Sequence, residues 1–221
     1  MNLDLFYKKH KKSCKNLIQT YSHLIPNNGI FFDIGSNLGM FSEALLDIYP
    51  NIQIHAFEPV KEYYDYSIKK LGLSNHNLKI NNFGLSNKTE EKYIFIDCKD
   101  NTNNPGWNTY IEEQTQQKMN KTKTKLKTLN DYCLNNNITH IDFIKIDTEG
   151  FEAYVLDGFL ETLKKLEKKP YMLIEIGWGC KHPHFNFSKE VFGELYKLGY
   201  VSKNINNLRR TQDILFTPPL N

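Results

Sequence analysis

Arginine is almost missing from this 221-residue chain: of 28 basic residues, only Arg209 and Arg210 carry a guanidinium. Proteins that read phosphate or guanine favour that planar fork, and a net charge of +3 is small for steering a polyanion. A nucleic-acid partner is therefore not expected. Paired cysteines are missing too. Cys14, Cys98, Cys133 and Cys180 lie far apart with no C-x-x-C, which argues against a zinc or dithiol motif and for free thiols in a reducing compartment. No apolar run reaches the roughly 20 residues of a membrane span. The polar, lysine-rich start, Met1 to Lys15, has no signal-peptide core, so a cytoplasmic location is the expectation. The dinucleotide fingerprint G-x-G-x-x-G is absent as well.

What is present is a regular alternation of elements. Residues 3–25 predict a helix, ended by Pro26-Asn-Asn-Gly29. Strands are expected at Ile30–Ile34, Ile52–Phe57 and Leu78–Phe83, and helices at Leu38–Tyr49 and Lys61–Leu71. Tyr93–Asp97 reads as an added strand. Lys121–Leu129 alternates Lys with Thr or Leu, the pattern of a half-exposed strand with lysines to solvent. Further on come a short helix at Leu129–Asn136, a strand at Phe143–Ile146 and a helix at Glu152–Leu166. A strand at Tyr171–Ile176 and a helix at Ser188–Leu198, N-capped by Ser188, follow.

This order predicts an α/β fold with a mostly parallel, doubly wound sheet. Tyr200–Ile205 and Asp213–Thr217 would close it with a C-terminal antiparallel hairpin. No repeat or linker divides the chain, so residues 1–221 read as one domain. Within it, 1–28 form a helical cap and 99–120, polar around Pro105-Gly-Trp107, a loop or lid.

Asp33-Ile-Gly35-Ser36-Asn37-Leu-Gly39 lies between a predicted strand and helix, where an open α/β sheet binds a nucleotide. The next strand ends in Glu58, nineteen residues after Gly39. A carboxylate there can accept both hydroxyls of a ribose. The spacing G-x-x-x-G fails the pyrophosphate pattern, and an aspartate ahead of the glycines suits a cationic ligand. S-adenosylmethionine, with a sulfonium, an ammonium, a ribose diol and no phosphate, fits both carboxylates.

Five segments carry a family resemblance: Phe32 to Gly39, Phe57-Glu-Pro59, Gly84-Leu-Ser-Asn87, Thr128-Leu-Asn-Asp131 and Ile141-Asp-Phe-Ile-Lys-Ile-Asp-Thr-Glu-Gly150. From about residue 30 to about 176 the chain resembles the FkbM family of S-adenosylmethionine-dependent methyltransferases, with the last segment the most specific. Asn130 stands where the family usually has an acid, and Thr148 where it has valine. The resemblance implies a Rossmann-like class I methyltransferase fold. It also implies O-methylation of a sugar, a glycan or a glycosylated small molecule. Asp33, Gly35, Asn37 and Gly39 would cradle the methionine part, with Ser36 in the same turn. Glu58, followed by Pro59, would hold the ribose, and Phe83 and Gly84 would lie near the adenine. A methyltransferase acting on RNA or protein is the alternative enzyme. A non-catalytic Rossmann-like binding module is the alternative of another class, and the intact Asp33, Glu58 and Asp147 count against it.

The segment 141–150 delivers Lys145, Asp147 and Glu149 out of an apolar strand, and charges among apolar neighbours are costly unless paired or used. Three readings stay open. Asp147 or Glu149 positions the acceptor while His182, in His182-Pro-His184, takes the proton. Asp147, Glu149 and Glu175 instead bind a divalent cation that acidifies the hydroxyl. Or Lys145 and Glu149 pair merely to fix the turn. Trp107 and Trp178 are candidates to stack on a sugar face. His10, His23, His55, His76 and His140 read as structural or surface residues.

Overall fold

The computed structural model describes residues 3–72, 76–99, 102–115, 119–177, 181–203, 205 and 211–220. Trp178, Cys180, Arg209 and Arg210 lie outside these residues.

Six strands form the main sheet: β1 (Ile30–Ile34), β2 (Gln53–Phe57), β3 (Leu78–Asn81), β8 (Phe143–Ile146), β9 (Tyr171–Ile176) and β10 (Gln212–Phe216). Their spatial order is β10-β9-β8-β1-β2-β3, parallel except for β10 against β9. β1 and β8 are buried on both faces and are accordingly apolar apart from Asp33 and Lys145. One face carries Phe31, Phe143 and Leu173 against α1 (Leu3–Thr20) and α2 (Met40–Ile48). The other carries Phe32, Ile34, Ile144, Ile146 and Ile174 in the larger core cluster. From β1 the order runs to β2 one way and to β8 the other. The switch point, where such sheets take ligands, therefore lies between β1 and β8.

A second sheet joins β4 (Gly84–Leu85), β7 (Met119–Lys127), β5 (Glu90–Lys99) and β6 (Thr102–Thr109) in that order. The lysine ladder of β7 points to solvent, with Thr124 and Leu126 inward, as the alternation predicts. β6 differs from expectation. Residues 99–120 read as a loop, yet Thr102–Thr109 pairs antiparallel with β5, and a 3-10 turn follows at Glu112–Gln114. Ladder hydrogen bonds to β5 compensate for a sequence with no apolar alternation.

The helix expected over 152–166 is two, α5 (Glu152–Asp157) and α6 (Leu160–Lys165). The break is at Gly158, which packs so tightly that a Cβ would lie 2.0 Å from the Ser86 carbonyl oxygen. The Gly158 carbonyl accepts from the amide of Asn130, at the start of α4 (Leu129–Asn135), and Asn130 Oδ1 in turn accepts from the amide of Thr162. Asn130 thus fixes this joint. The last helix, α7 (Phe185–Lys197), starts three residues earlier than expected. His184 is its cap, and Ser188 lies inside it with its hydroxyl donating to the His184 carbonyl. Of the C-terminal hairpin, the described residues hold β10 and an antiparallel bridge between Val201 and Thr217. α3 (Lys61–Leu71) completes the set, and no helix among the described residues is long and apolar enough to cross a membrane.

α1 lies across the top of α2. Tyr7 donates to Glu43 (2.8 Å), Lys11 pairs with Glu43 and Asp47, and Lys15 pairs with Asp47 (2.7 Å). Each of these half-exposed pairs contributes at most about 1 kcal/mol. Burial of Ile18 and Tyr7 contributes the larger share.

The two glycines of this region make a paired test. Gly158→Ala overpacks the joint and should cost about 1–3 kcal/mol in denaturant unfolding. Gly193→Ala, inside α7 with nothing within 4 Å of its Cβ position, should gain about 0.5–1 kcal/mol. Equal effects would contradict the assigned cause of the helix break.

Candidate functional site

A cavity of about 670 Å³ opens over the carboxyl ends of β1, β2, β8 and β9. Its floor begins at Gly35, whose φ of +79° and close approach to β8 exclude a side chain: a Cβ would meet the Asp147 carbonyl oxygen at 1.9 Å. The amides of Gly35 and Ser36 both donate to the Phe57 carbonyl. The turn is therefore clamped between the ends of β2 and β8. Asn37, at φ +54°, points its amide at Glu58 Oε2 (2.9 Å), while the amide of Val60 holds Oε1 (2.7 Å). Burial pushes the Glu58 carboxyl up to about 8 despite these two donors.

Among the described residues, three buried polar atoms in this wall have no hydrogen-bond partner: the acceptors Asp33 Oδ1 and Asn108 Oδ1, and the Ser36 hydroxyl. Buried polar atoms are normally satisfied, so the cavity is built for a ligand rich in donors. Asp33 is fully buried; its Oδ2 accepts from Ser42 (2.6 Å). Burial raises its pKa, and Lys145 offsets part of that rise. An ammonium, a ribose diol and a sulfonium match this wall. S-adenosylmethionine thus fits the residues present.

The second half of the cavity is charged. Lys145 Nζ lies 2.7 Å from Asp147 Oδ2 and 5.4 Å above the Phe41 ring. Burial would push its ammonium down, but Asp147 and Asp33 outweigh that and keep its pKa above the ordinary lysine value. Glu149 and Glu175 are raised by burial and then by Asp147, so the group retains a proton that ordinary carboxylates would lose. Asp147, Glu149 and Glu175 each offer an oxygen within 4.8 Å of the others, which is the spacing of a divalent-cation site.

The turn at 148–150 is not held by a Lys145–Glu149 pair, as one reading supposed. Lys145 pairs with Asp147 instead. The turn is held by Glu152, whose Oε1 accepts from Thr148 N, Thr148 Oγ1 and Gly150 N. The Thr109 hydroxyl also donates to the Glu149 carbonyl (2.9 Å).

Of the expected cofactor residues, Asp33, Gly35, Ser36, Asn37, Glu58, Pro59 and Gly84 line the cavity; of the expected catalytic ones, Lys145, Asp147 and Glu149 do. Gly39 instead starts α2 in a left-handed conformation, and Phe83 packs on Phe57 and Tyr132 beneath Lys127. Trp107 is not in the lining. His182 is also elsewhere. Its Nε2 donates to the Gly150 carbonyl (2.8 Å) and its Nδ1 accepts from the His184 amide (2.9 Å), so neither nitrogen is open to take a proton.

The histidine that does line the cavity is His10, read from sequence as structural or surface. It stacks on Phe6 at 4.1 Å. Phe6, His10, Cys14 and Leu17 recur at helical spacing along one side of α1, a signal that the sequence carried. Burial pushes the Cys14 thiol up to about 11. Asp213 enters from β10, paired in register with Glu175. Pro105, Asn108 and Tyr110 enter from β6 and the residue after it, inside the segment 99–120 read from sequence as a loop or lid, though none was singled out there as a site residue.

The family model described as the methyltransferase FkbM domain matches residues 33–202. The chain is similar to methyltransferase sdnD of Sordaria araneosa, 26% identical over 163 residues, and covers 61% of itself and 61% of that relative's length. Its fold is similar to that of a putative rRNA-methylase from Clostridium thermocellum (TM-score 0.52, 8% identity, 95% of each chain). It is also similar to the fibrillarin pre-rRNA processing protein of Methanococcus jannaschii (TM-score 0.50, 12% identity, 89% of this chain and 70% of that one). At such identities the likeness is one of fold.

The raised carboxyls predict how stability depends on pH. Glu58, Glu149 and Glu175 hold protons more tightly in the folded chain than in the unfolded one, where glutamate titrates near 4.5. Their stabilisation is complete below that value and is lost as pH rises through the folded pKa, about 8 for Glu58. Histidines held low by burial, such as His55 at about 4, act below the ordinary 6.5. The unliganded protein should therefore melt at progressively lower temperature between about pH 6.5 and about pH 8.5. Glu149→Gln should flatten that fall and raise the melting temperature at its upper end. A flat wild-type profile would contradict the assignment.

Proposed function

The chain belongs to the FkbM family of S-adenosylmethionine-dependent methyltransferases, and from that premise we propose that it methylates a hydroxyl of a sugar, a glycan or a glycosylated small molecule. The observation that carries this reading is the carboxylate wall of Asp147, Glu149, Glu175 and Asp213, which shares one cavity with the glycine turn. Sugars present several hydroxyl donors close together, and carboxylates are acceptors. That wall would repel a phosphate backbone. It includes no arginine among the described residues, so an RNA acceptor is the weaker reading.

Bound S-adenosylmethionine supplies a methyl group on a sulfonium, open to in-line attack by an oxygen nucleophile. Asp33 and the 35–37 turn would hold the amino-acid end, with Asp33 Oδ1, buried and unpartnered among the described residues, as the acceptor for the ammonium. Glu58 would accept from the ribose hydroxyls with the lone pairs left over from the Asn37 and Val60 amides. Phe6, His10, Cys14 and Leu17 of α1, which line the cavity, would keep water from the acceptor and fix its approach, and alignment of this kind is a main source of rate for a displacement. Asp147 would accept the hydrogen bond of the acceptor hydroxyl and take its proton, while the bound cofactor would supply the methyl group and be left as S-adenosylhomocysteine once its sulfur–carbon bond is given up. Lys145, 2.7 Å away, keeps that carboxylate oriented. Glu149 and Glu175, whose carboxyls burial and then Asp147 raise, could donate to a neighbouring sugar oxygen in their protonated form.

Titration calorimetry with S-adenosylhomocysteine checks the cofactor half: wild type binds, and Glu58→Ala weakens binding at least about tenfold, the loss of roughly one hydrogen bond. Transfer of labelled methyl to a panel of glycosides, RNA and protein checks the acceptor. Asp147→Asn should lower kcat by about 10²–10⁴ with S-adenosylhomocysteine affinity kept. Methylation of RNA alone, or unchanged turnover in Asp147→Asn, would refute the reading. Loss of turnover in EDTA would instead assign the three carboxylates to a divalent cation.

A further inference from the structure

β6 brings a residue into the cavity that neither the family segments nor the sequence patterns include. Asn108 stands opposite Ile96 of β5 and lines the cavity. Its amide is oriented by Pro105, whose carbonyl oxygen accepts from Asn108 Nδ2 (3.5 Å) and, in a short contact, from Asn37 Nδ2. Turned the other way, the Asn108 amide would set two oxygens against each other. Its Oδ1 is thereby the atom left over, buried and without a partner. Leaving an acceptor buried and unsatisfied costs about 1–3 kcal/mol, which a ligand donor would recover.

We propose that Asn108 is a cofactor-binding residue whose Oδ1 accepts a hydrogen bond from a ribose hydroxyl of S-adenosylmethionine. The choice of donor follows from the neighbours and rests on the ribose reading of Glu58 given above. Pro105 joins the side chains of Asn108 and Asn37, and the amide of Asn37 holds Glu58 Oε2. Asn108 and Glu58 therefore flank Asn37 from two different sheets. The ribose diol lies between them, with Glu58 accepting on one side and Asn108 on the other. The second sheet, which does not contribute to the nucleotide turn itself, thus takes part in cofactor recognition.

Asn108→Ala should weaken S-adenosylhomocysteine about tenfold in titration calorimetry, the loss of about one hydrogen bond. The variant loses the long Nδ2–Pro105 contact together with an unsatisfied acceptor, two small effects of opposite sign, so the unliganded protein should melt near the wild-type temperature. The 2′-deoxy and 3′-deoxy analogues identify the hydroxyl: one of them should bind wild type and Asn108→Ala equally. Unchanged S-adenosylhomocysteine affinity in Asn108→Ala would overturn the proposal. So would an equal penalty for both deoxy analogues, or a lowered melting temperature without ligand, either of which makes Asn108 a structural residue. Should wild type itself fail to bind S-adenosylhomocysteine, the cofactor reading falls with it. Failure confined to the variant comparison removes Asn108 alone.

Discussion

One buried ammonium organises the functional end of this fold. Lys145 sits in the central strand β8, register partner of Asp33 on β1, with the Phe41 ring beneath it and Asp147 at 2.7 Å. Burying a lone ammonium would cost several kcal/mol. The two aspartates make it tolerable, and it makes them tolerable in turn. Glu149, Glu175 and Asp213 can crowd the same cavity because the cluster has this positive centre and retains a proton. Removing the lysine would leave uncompensated carboxylates at the switch point of the sheet, the costly half of breaking a buried pair.

Around that centre, the two turns that meet in the cavity are in backbone contact, since Gly35 abuts the Asp147 carbonyl. They are also bridged from outside by β6. Pro105 holds Asn37 of the first turn, and Thr109 holds the Glu149 carbonyl of the second. Glu152 adds three acceptor contacts within the second turn. The two turns are therefore built as one piece. A shift of the 35–37 turn cannot leave the 147–149 turn where it is. Such rigidity suits a displacement that depends on alignment more than on chemical assistance.

The central strands, the helix pattern, the turn Asp33–Gly39, Glu58 and the charged end of β8 were all legible in the sequence. Each is a local signal: an apolar run, a 3.6-residue period, a glycine pair, a carboxylate closing a strand. The break at Gly158, the strand character of Thr102–Thr109 and the cap of α7 were not, because each depends on what packs against it from far along the chain. His182 shows the same limit at the level of chemistry. A histidine after a strand reads as a base, but two backbone groups engage its ring nitrogens.

By itself, then, the sequence determined the fold class, the cofactor and the identity of the charged residues. Periodicity, turn chemistry and the cost of burying charge act over a few residues and need no partner to be read. Only the tertiary structure decided that Lys145 pairs with Asp147 rather than Glu149, that His10 and not His182 faces the cavity, and that Asn108 enters it from a second sheet. Those outcomes depend on which groups, distant in the chain, compete for one buried hydrogen bond, and that competition is settled only when the elements meet.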